Sequence, residues 1–142
     1  MAKRTETLSA EGQFLPQVVF FGTVFSGTGQ GKKFIDLPWV KQQIEEKLGF
    51  TPYSGTLNLR LTKESVENKK RLEDAKGFVV EPQAGYCRGV MFRAQIDSVQ
   101  GAIIVPKVPK YPSSVLEVIA PVYLREHLKL TDGSQVVVTV SV

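Results

Sequence analysis

The chain has 142 residues, 42% of them apolar and 23% charged, and 18 Lys+Arg against 14 Asp+Glu leave a formal net charge of +4. That length suits one compact domain, which buries about 65–70% of its unfolded surface and needs no staple; the single cysteine, Cys87, excludes an internal disulfide, and with the single histidine, His127, it argues against a zinc site. Mild basicity suits an anionic ligand as well as it suits nucleic acid, the apolar run at 18–21 falls far short of the ~20 residues of a membrane span, and the charged start Met1-Ala2-Lys3-Arg4-Thr5-Glu6 has no apolar signal segment, so a reduced, cytoplasmic protein is expected.

Residues 1–16 are polar, carry Gly12 and Pro16 and show no period; they read as a flexible arm ahead of one domain over 17–142. Residues 18–25 are rich in β-branched and aromatic types and predict a strand. A glycine loop follows, with no helix expected directly after it. Asp36-Leu37-Pro38 opens a helix, because proline suits a first turn whose N–H has no helical partner. Val40, Ile44 and Leu48 fall four apart on one face, and Gly49 is placed to end the helix. Residues 56–61 alternate polar and apolar, which puts Leu57, Leu59 and Leu61 inward. The charged stretch 62–77 reads as a weak exposed helix that Thr62 caps and for which Val66 and Leu72 offer the only burial. Further strands are expected near 78–81, 87–96, 101–106 and 115–119. Pro121 starts a helix through about Leu128, Thr131-Asp132-Gly133-Ser134 turns, and 135–142 alternates as a closing strand. Six or seven strands with two or three short helices, without strand–helix alternation, predict a mainly β closed barrel or sandwich.

Four groups of residues offer chemistry. Gly27-Thr28-Gly29-Gln30-Gly31-Lys32-Lys33 combines close backbone approach, an anion nest and two cations, yet it matches neither the P-loop nor the dinucleotide fingerprint; a flexible hairpin with solvated lysines fits the same letters. Thr56 and Asn58 share one strand face and offer neutral oxygens, which suit magnesium only where phosphates and water complete the shell; the solvent side of an amphipathic strand is the plainer account. Glu117 faces away from Leu116 and Val118, either as a general base or as an exposed strand glutamate. Arg125 reaches a phosphate or pairs with Glu126 or Glu117, and the free N–H groups of a helix starting at Pro121 are a candidate anion site. Elsewhere, His127 reads as a helix-surface residue, Cys87 as a half-buried strand thiol, Lys69-Lys70-Arg71 as a solvated face and Trp39 as core. Phe92 and Tyr111 fill the core or stack on a flat ligand.

Taken in order, Gly22-Thr23-Val24-Phe25-Ser26-Gly27-Thr28-Gly29-Gln30-Gly31, Gly49-Phe50-Thr51-Pro52-Tyr53-Ser54-Gly55-Thr56-Leu57-Asn58-Leu59, Gly101-Ala102-Ile103-Ile104-Val105-Pro106, and Leu116-Glu117-Val118-Ile119-Ala120-Pro121 through Leu124-Arg125-Glu126 resemble the CTP-dependent riboflavin kinases best known from archaea, over about residues 18–142. The resemblance implies a six-stranded cradle-loop (RIFT-type) barrel with short helices. It implies transfer of the γ-phosphoryl group of CTP to the riboflavin 5′-hydroxyl, giving FMN and CDP. By the same resemblance Gly27, Thr28, Gly29, Gln30, Gly31, Lys32 and Lys33 wrap the nucleotide phosphates, and Val122, Tyr123, Leu124 and Arg125 lie against the nucleotide. Thr56 and Asn58 hold Mg2+. The flavin end takes Glu117, which orients or deprotonates the hydroxyl, and Pro109, where family members often have threonine. Lys32, Lys33 and Arg125 are candidates to stabilise the transferring group. The partners expected are CTP and riboflavin, with a monomer that meets neither nucleic acid nor membrane. Two other readings of such a barrel are a non-catalytic nucleotide or flavin binder, and a DNA-binding relative whose affinity falls steeply with salt.

Overall fold

The computed structural model describes residues 4–8 and 14–142 apart from Ala84, with side chains from Gln17 onward. Eight strands and four short helices are present among them: β1 (Arg4–Leu8), β2 (Phe14–Phe25), α1 (Gln30–Ile35), α2 (Pro38–Leu48), β3 (Leu57–Leu61), α3 (Lys63–Lys69), β4 (Phe78–Val80), β5 (Gly89–Ile96), β6 (Val99–Pro106), β7 (Val115–Ile119), α4 (Leu124–His127) and β8 (Gln135–Ser141). The reading of residues 1–16 as a loose arm falls partly outside the described residues; of those described, Arg4–Leu8 pair with the start of β2.

The strand order is β1-β2-β3-β7-β6-β5-β4, and β8 pairs with both β2 and β5. Every pairing in the ring β2-β3-β7-β6-β5-β8 is antiparallel, so six strands close into a barrel, as expected. Period-two alternation sorts the side chains. Val18, Phe20, Val24, Leu57, Leu59, Phe92, Ile103, Leu116, Val118 and Val138 fill the interior. The opposite face of β5, β6 and β7 is buried as well, because Met91, Ala102, Ile104 and Ile119 pack beneath Ile35 of α1 and Val40, Ile44 and Leu48 of α2. Double burial explains why 101–105 is an unbroken apolar run rather than an alternating one. Phe92 is therefore core and is not free to stack on a ligand.

Several local expectations are corrected. A helix, α1, does open inside the glycine loop, with Gly29 in the left-handed conformation as its cap. The last helix starts at Leu124, not Pro121: the Ala120 carbonyl is taken by the Tyr53 N–H at 2.8 Å, the chain bends at Pro121 and Val122, and Tyr123 is still extended. The proposed anion site at a Pro121 helix start is thereby removed. Strand β5 begins at Gly89, which leaves Cys87 exposed in the preceding loop. Of the described helices, none is long and apolar enough to cross a membrane.

Helix α3 is held by polar groups the charge pattern concealed. On one edge of β2, β1 covers residues up to Val18 and β3 covers those from Gly22. The backbone between would be orphaned. Buried Asn68 donates to the Val19 carbonyl at 2.7 Å, the Phe21 N–H donates to buried Ser65 at 2.8 Å, and the Thr62 N–H donates to the Phe21 carbonyl at 3.1 Å. Thr62 caps the helix through Ser65 N–H, as expected. Replacing Asn68 with Ala leaves the Val19 carbonyl buried and unpaired, and is expected to cost about 1–3 kcal/mol in urea unfolding. An unchanged midpoint would show that α3 is not anchored this way.

Candidate functional site

The outer face of β3 and β7 carries the polar residues that the inner face excludes. Asn58 and Glu117 are cross-strand partners in the β3–β7 register, and Thr56 lies two residues before Asn58. Thr56 Oγ1 donates to Glu117 Oε1 at 2.9 Å. The Asn58 amide makes no side-chain hydrogen bond to another described residue, so its carbonyl oxygen is uncommitted. The glycine loop lies directly on this face. A Cβ at Gly27 would stand 2.6 Å from Asn58 Nδ2, and one at Gly31 would collide with Thr56 Oγ1 and stand 2.6 Å from Glu117 Oε1. Only glycine lets the backbone come this close. The two glycines thus read as contacts to Thr56, Asn58 and Glu117, and not as a solvated hairpin.

The donor set fits a hard cation only in company. Thr56 spends its proton on Glu117 and keeps two lone pairs, and Asn58 adds an amide oxygen. No cluster of three or more His, Cys, Asp or Glu exists among the described residues. Two neutral oxygens suit a magnesium ion that retains water and takes its remaining ligands from phosphates.

The cations around the loop differ in availability. Lys32 is bound to Asp36 at 2.9 Å and Ser54 at 3.0 Å, and the Lys32 and then the Ser54 hydrogen bond hold the Asp36 carboxyl below its usual range. Lys33, exposed on the same helix, forms no ion pair with a described residue. Arg125 does not meet Glu126 or Glu117; its Nη2 contacts Asp132 Oδ1 at 2.8 Å and Ser26 Oγ at 3.5 Å. Arg125, then Ser26, lower the Asp132 carboxyl in turn. This network ties α4 and the 131–134 turn to the first residue of the glycine loop. Beside it lies a cleft of about 50 Å³ lined by Thr56, Val118, Val122, Leu124 and Arg125. Tyr53 and Tyr123, both exposed, stack at its edge with centroids 5.0 Å apart and rings 12° from parallel.

Tyr111 donates its hydroxyl to Glu117 Oε2, so both oxygens of that carboxylate are engaged. Burial first, and then the Glu117 hydrogen bond and charge, push the phenol well above its ordinary value. Lys69 sits 5.5 Å over the Tyr111 ring and donates to the Val115 carbonyl at 2.8 Å; burial lowers its ammonium. Pro109 is exposed, in a turn closed by the Tyr111 N–H on the Val108 carbonyl. Proline followed by Lys110 at φ 61° is the pattern of a type II turn. Sequence reasoning passed over Ser26, Asp132 and Lys69 as site neighbours, and it read Tyr111 as core or a stacking ring, not as a hydroxyl donor to Glu117. Apart from the Pro-Lys-Tyr-Pro turn at 109–112, no local pattern marks them. His127 is exposed on α4, and Trp39 is half-buried against Phe34 and Tyr86.

A family model named for CTP-dependent riboflavin kinases, and described as a domain of unknown function, DUF120, matches residues 24–140. The chain is 43% identical over 123 residues to a riboflavin kinase of Archaeoglobus fulgidus, an overlap of 84% of this chain and 53% of that protein. It is 37% identical over 133 residues to one of Pyrobaculum aerophilum, covering 89% of this chain and 62% of that protein. A Methanococcoides burtonii riboflavin kinase is 38% identical over 127 residues, 84% of this chain and 56% of that one. The chain thus spans between half and two thirds of the length of the relatives it matches.

Gly31→Ala is expected to lower stability by about 1–3 kcal/mol, since the added methyl must push α1 off Thr56 and Glu117. Thermal unfolding of the two proteins measures it, and equal stability would mean that α1 does not rest on that pair.

Proposed function

The chain belongs to the CTP-dependent riboflavin kinase family, and on that premise we propose that it transfers the γ-phosphoryl group of CTP to the 5′-hydroxyl of riboflavin. The observation that carries this reading is the convergence of the glycine loop, Thr56, Asn58 and Glu117 on one patch of the barrel's outer face. Residues from three separate segments meet there, and each supplies a part that phosphoryl transfer requires.

In this reading the backbone of residues 27–31 cradles the phosphates, and Val122, Tyr123, Leu124 and Arg125 border the nucleotide along the adjoining cleft. Lys33, unpaired with any described acid, and Arg125, poised by Asp132, take the phosphate charge; Lys32 acts mainly through its hold on Asp36 and Ser54. A divalent metal, magnesium in this proposal, would supply positive charge against the phosphates. Thr56 and Asn58 would hold it through neutral oxygens, which leaves the net charge of the site to the nucleotide. Glu117 accepts the proton of the 5′-hydroxyl as that oxygen bonds to the γ-phosphorus. The bond from γ-phosphorus to the bridging oxygen breaks, and CDP leaves with that oxygen. Positioning and charge stabilisation suffice for such a step, so no nucleophilic side chain is required.

FMN formation by the purified protein, with riboflavin and magnesium and with CTP, ATP, GTP or UTP in turn, tests the proposal. Product with CTP alone is expected. Product with another nucleotide would overturn the donor, and none with any donor from a folded protein would overturn the kinase reading. Thr56→Val and Asn58→Ala are each expected to lower turnover by about 10²-fold, with a raised magnesium requirement. Full activity at ordinary magnesium in either variant would remove that residue from the metal.

A further inference from the structure

We propose that Tyr111 is a positioning residue for Glu117, fixing the plane of its carboxylate so that a free lone pair faces the hydroxyl to be phosphorylated. The inference deepens the kinase reading and rests on it for the word hydroxyl; the contact itself does not.

The terminal torsion of a glutamate is broad and roughly two-fold, so a carboxylate anchored through one oxygen still turns about its last bond. Here Thr56 holds Oε1 at 2.9 Å and Tyr111 holds Oε2. Two donors on two oxygens define the plane. An ionised carboxylate has about four lone-pair sites, so two stay open for a substrate. The phenol is built to remain a donor, since burial and Glu117 both hold its proton in place.

Tyr111 is itself set by its surroundings. The turn at 108–111, with Pro109 and the positive φ of Lys110, aims the ring back at β7. The Lys69 ammonium lies over the ring and is bonded to the carbonyl of Val115, two residues before Glu117 on the same strand. The ring, the lysine and the carboxylate therefore share one rigid frame. A tyrosine that only filled space would gain nothing from a hydroxyl aimed at a carboxylate.

The test compares Tyr111→Phe, Glu117→Gln and the double variant with the full chain, in riboflavin and nucleotide titrations. Tyr111→Phe keeps the ring and removes the donor. Its kcat is expected to fall about 10–100-fold, with both KM values within about threefold, as for a reacting group displaced by a fraction of an ångström. The double variant is expected to be no slower than Glu117→Gln, because the two residues act as one unit. Undiminished kcat in Tyr111→Phe, or losses that multiply in the double variant, would overturn the proposal. An alkaline titration of tyrosinate absorbance, with 4 tyrosines in the chain, reads the contact without any turnover. Glu117→Gln removes the charge that opposes ionisation, so one tyrosine is expected to ionise at lower pH than in the parent. Coincident curves would overturn the contact even if the protein makes no FMN, and FMN formation by the parent separately decides the kinase reading.

Discussion

Six strands bonded on both edges leave this chain with little freedom about where its polar groups go. Strand β8 lies between β2 and β5 and turns a sheet into a ring. Closure satisfies the backbone of β2, β3, β5, β6, β7 and β8 along most of their lengths, and it assigns every side chain to the interior or the outside. Where a neighbouring strand stops short, side chains take over. Between the ends of β1 and β3, Ser65 and Asn68 of α3 bind the exposed backbone of β2. The same closure makes the outer face of β3 and β7 a rigid platform for Thr56, Asn58 and Glu117.

That platform is polar at one end and apolar at the other. Along β7, Glu117 and Ile119 share the outer face, and Ile119 is buried under the α1–α2 layer. Helix α1 therefore does two things within two turns. Ile35 plugs into the apolar layer, and Gly31 lies on the polar patch with no side chain between them. The apolar anchor holds the glycine loop at van der Waals range of the carboxylate and the threonine. A loop so held needs little reorganisation when a ligand arrives, which is the condition under which fixed dipoles contribute most.

Much of this was legible in the letters. The four-residue spacing of Val40, Ile44 and Leu48 predicted the buried stripe of α2, and Leu57, Leu59 and Leu61 predicted the inward face of β3. Glu117 lies outward between Leu116 and Val118, as alternation requires. Helix α1 was missed because a cluster of glycines at 27, 29 and 31 disfavours a helix, and the burial of Ile35 overrides it. Helix α3 was expected to be loosely held because serine and asparagine look like surface residues until the strand edge they serve is known. Arg125 was matched to Glu126 or Glu117, yet Asp132 in the following turn captured it.

The sequence by itself determined most of the barrel strands and α2, their inward faces and, through motif order, the family. Those properties depend on residues within a few positions of one another, because helix and strand periods repeat over short distances. Only the tertiary structure decided which polar groups meet. Thr56 and Glu117 are 61 residues apart in the chain, and Ser26 and Asp132 are 106 apart. Such pairs are brought together by strand register around a closed ring, and a one-residue slip in that register would turn Asn58 or Glu117 into the barrel.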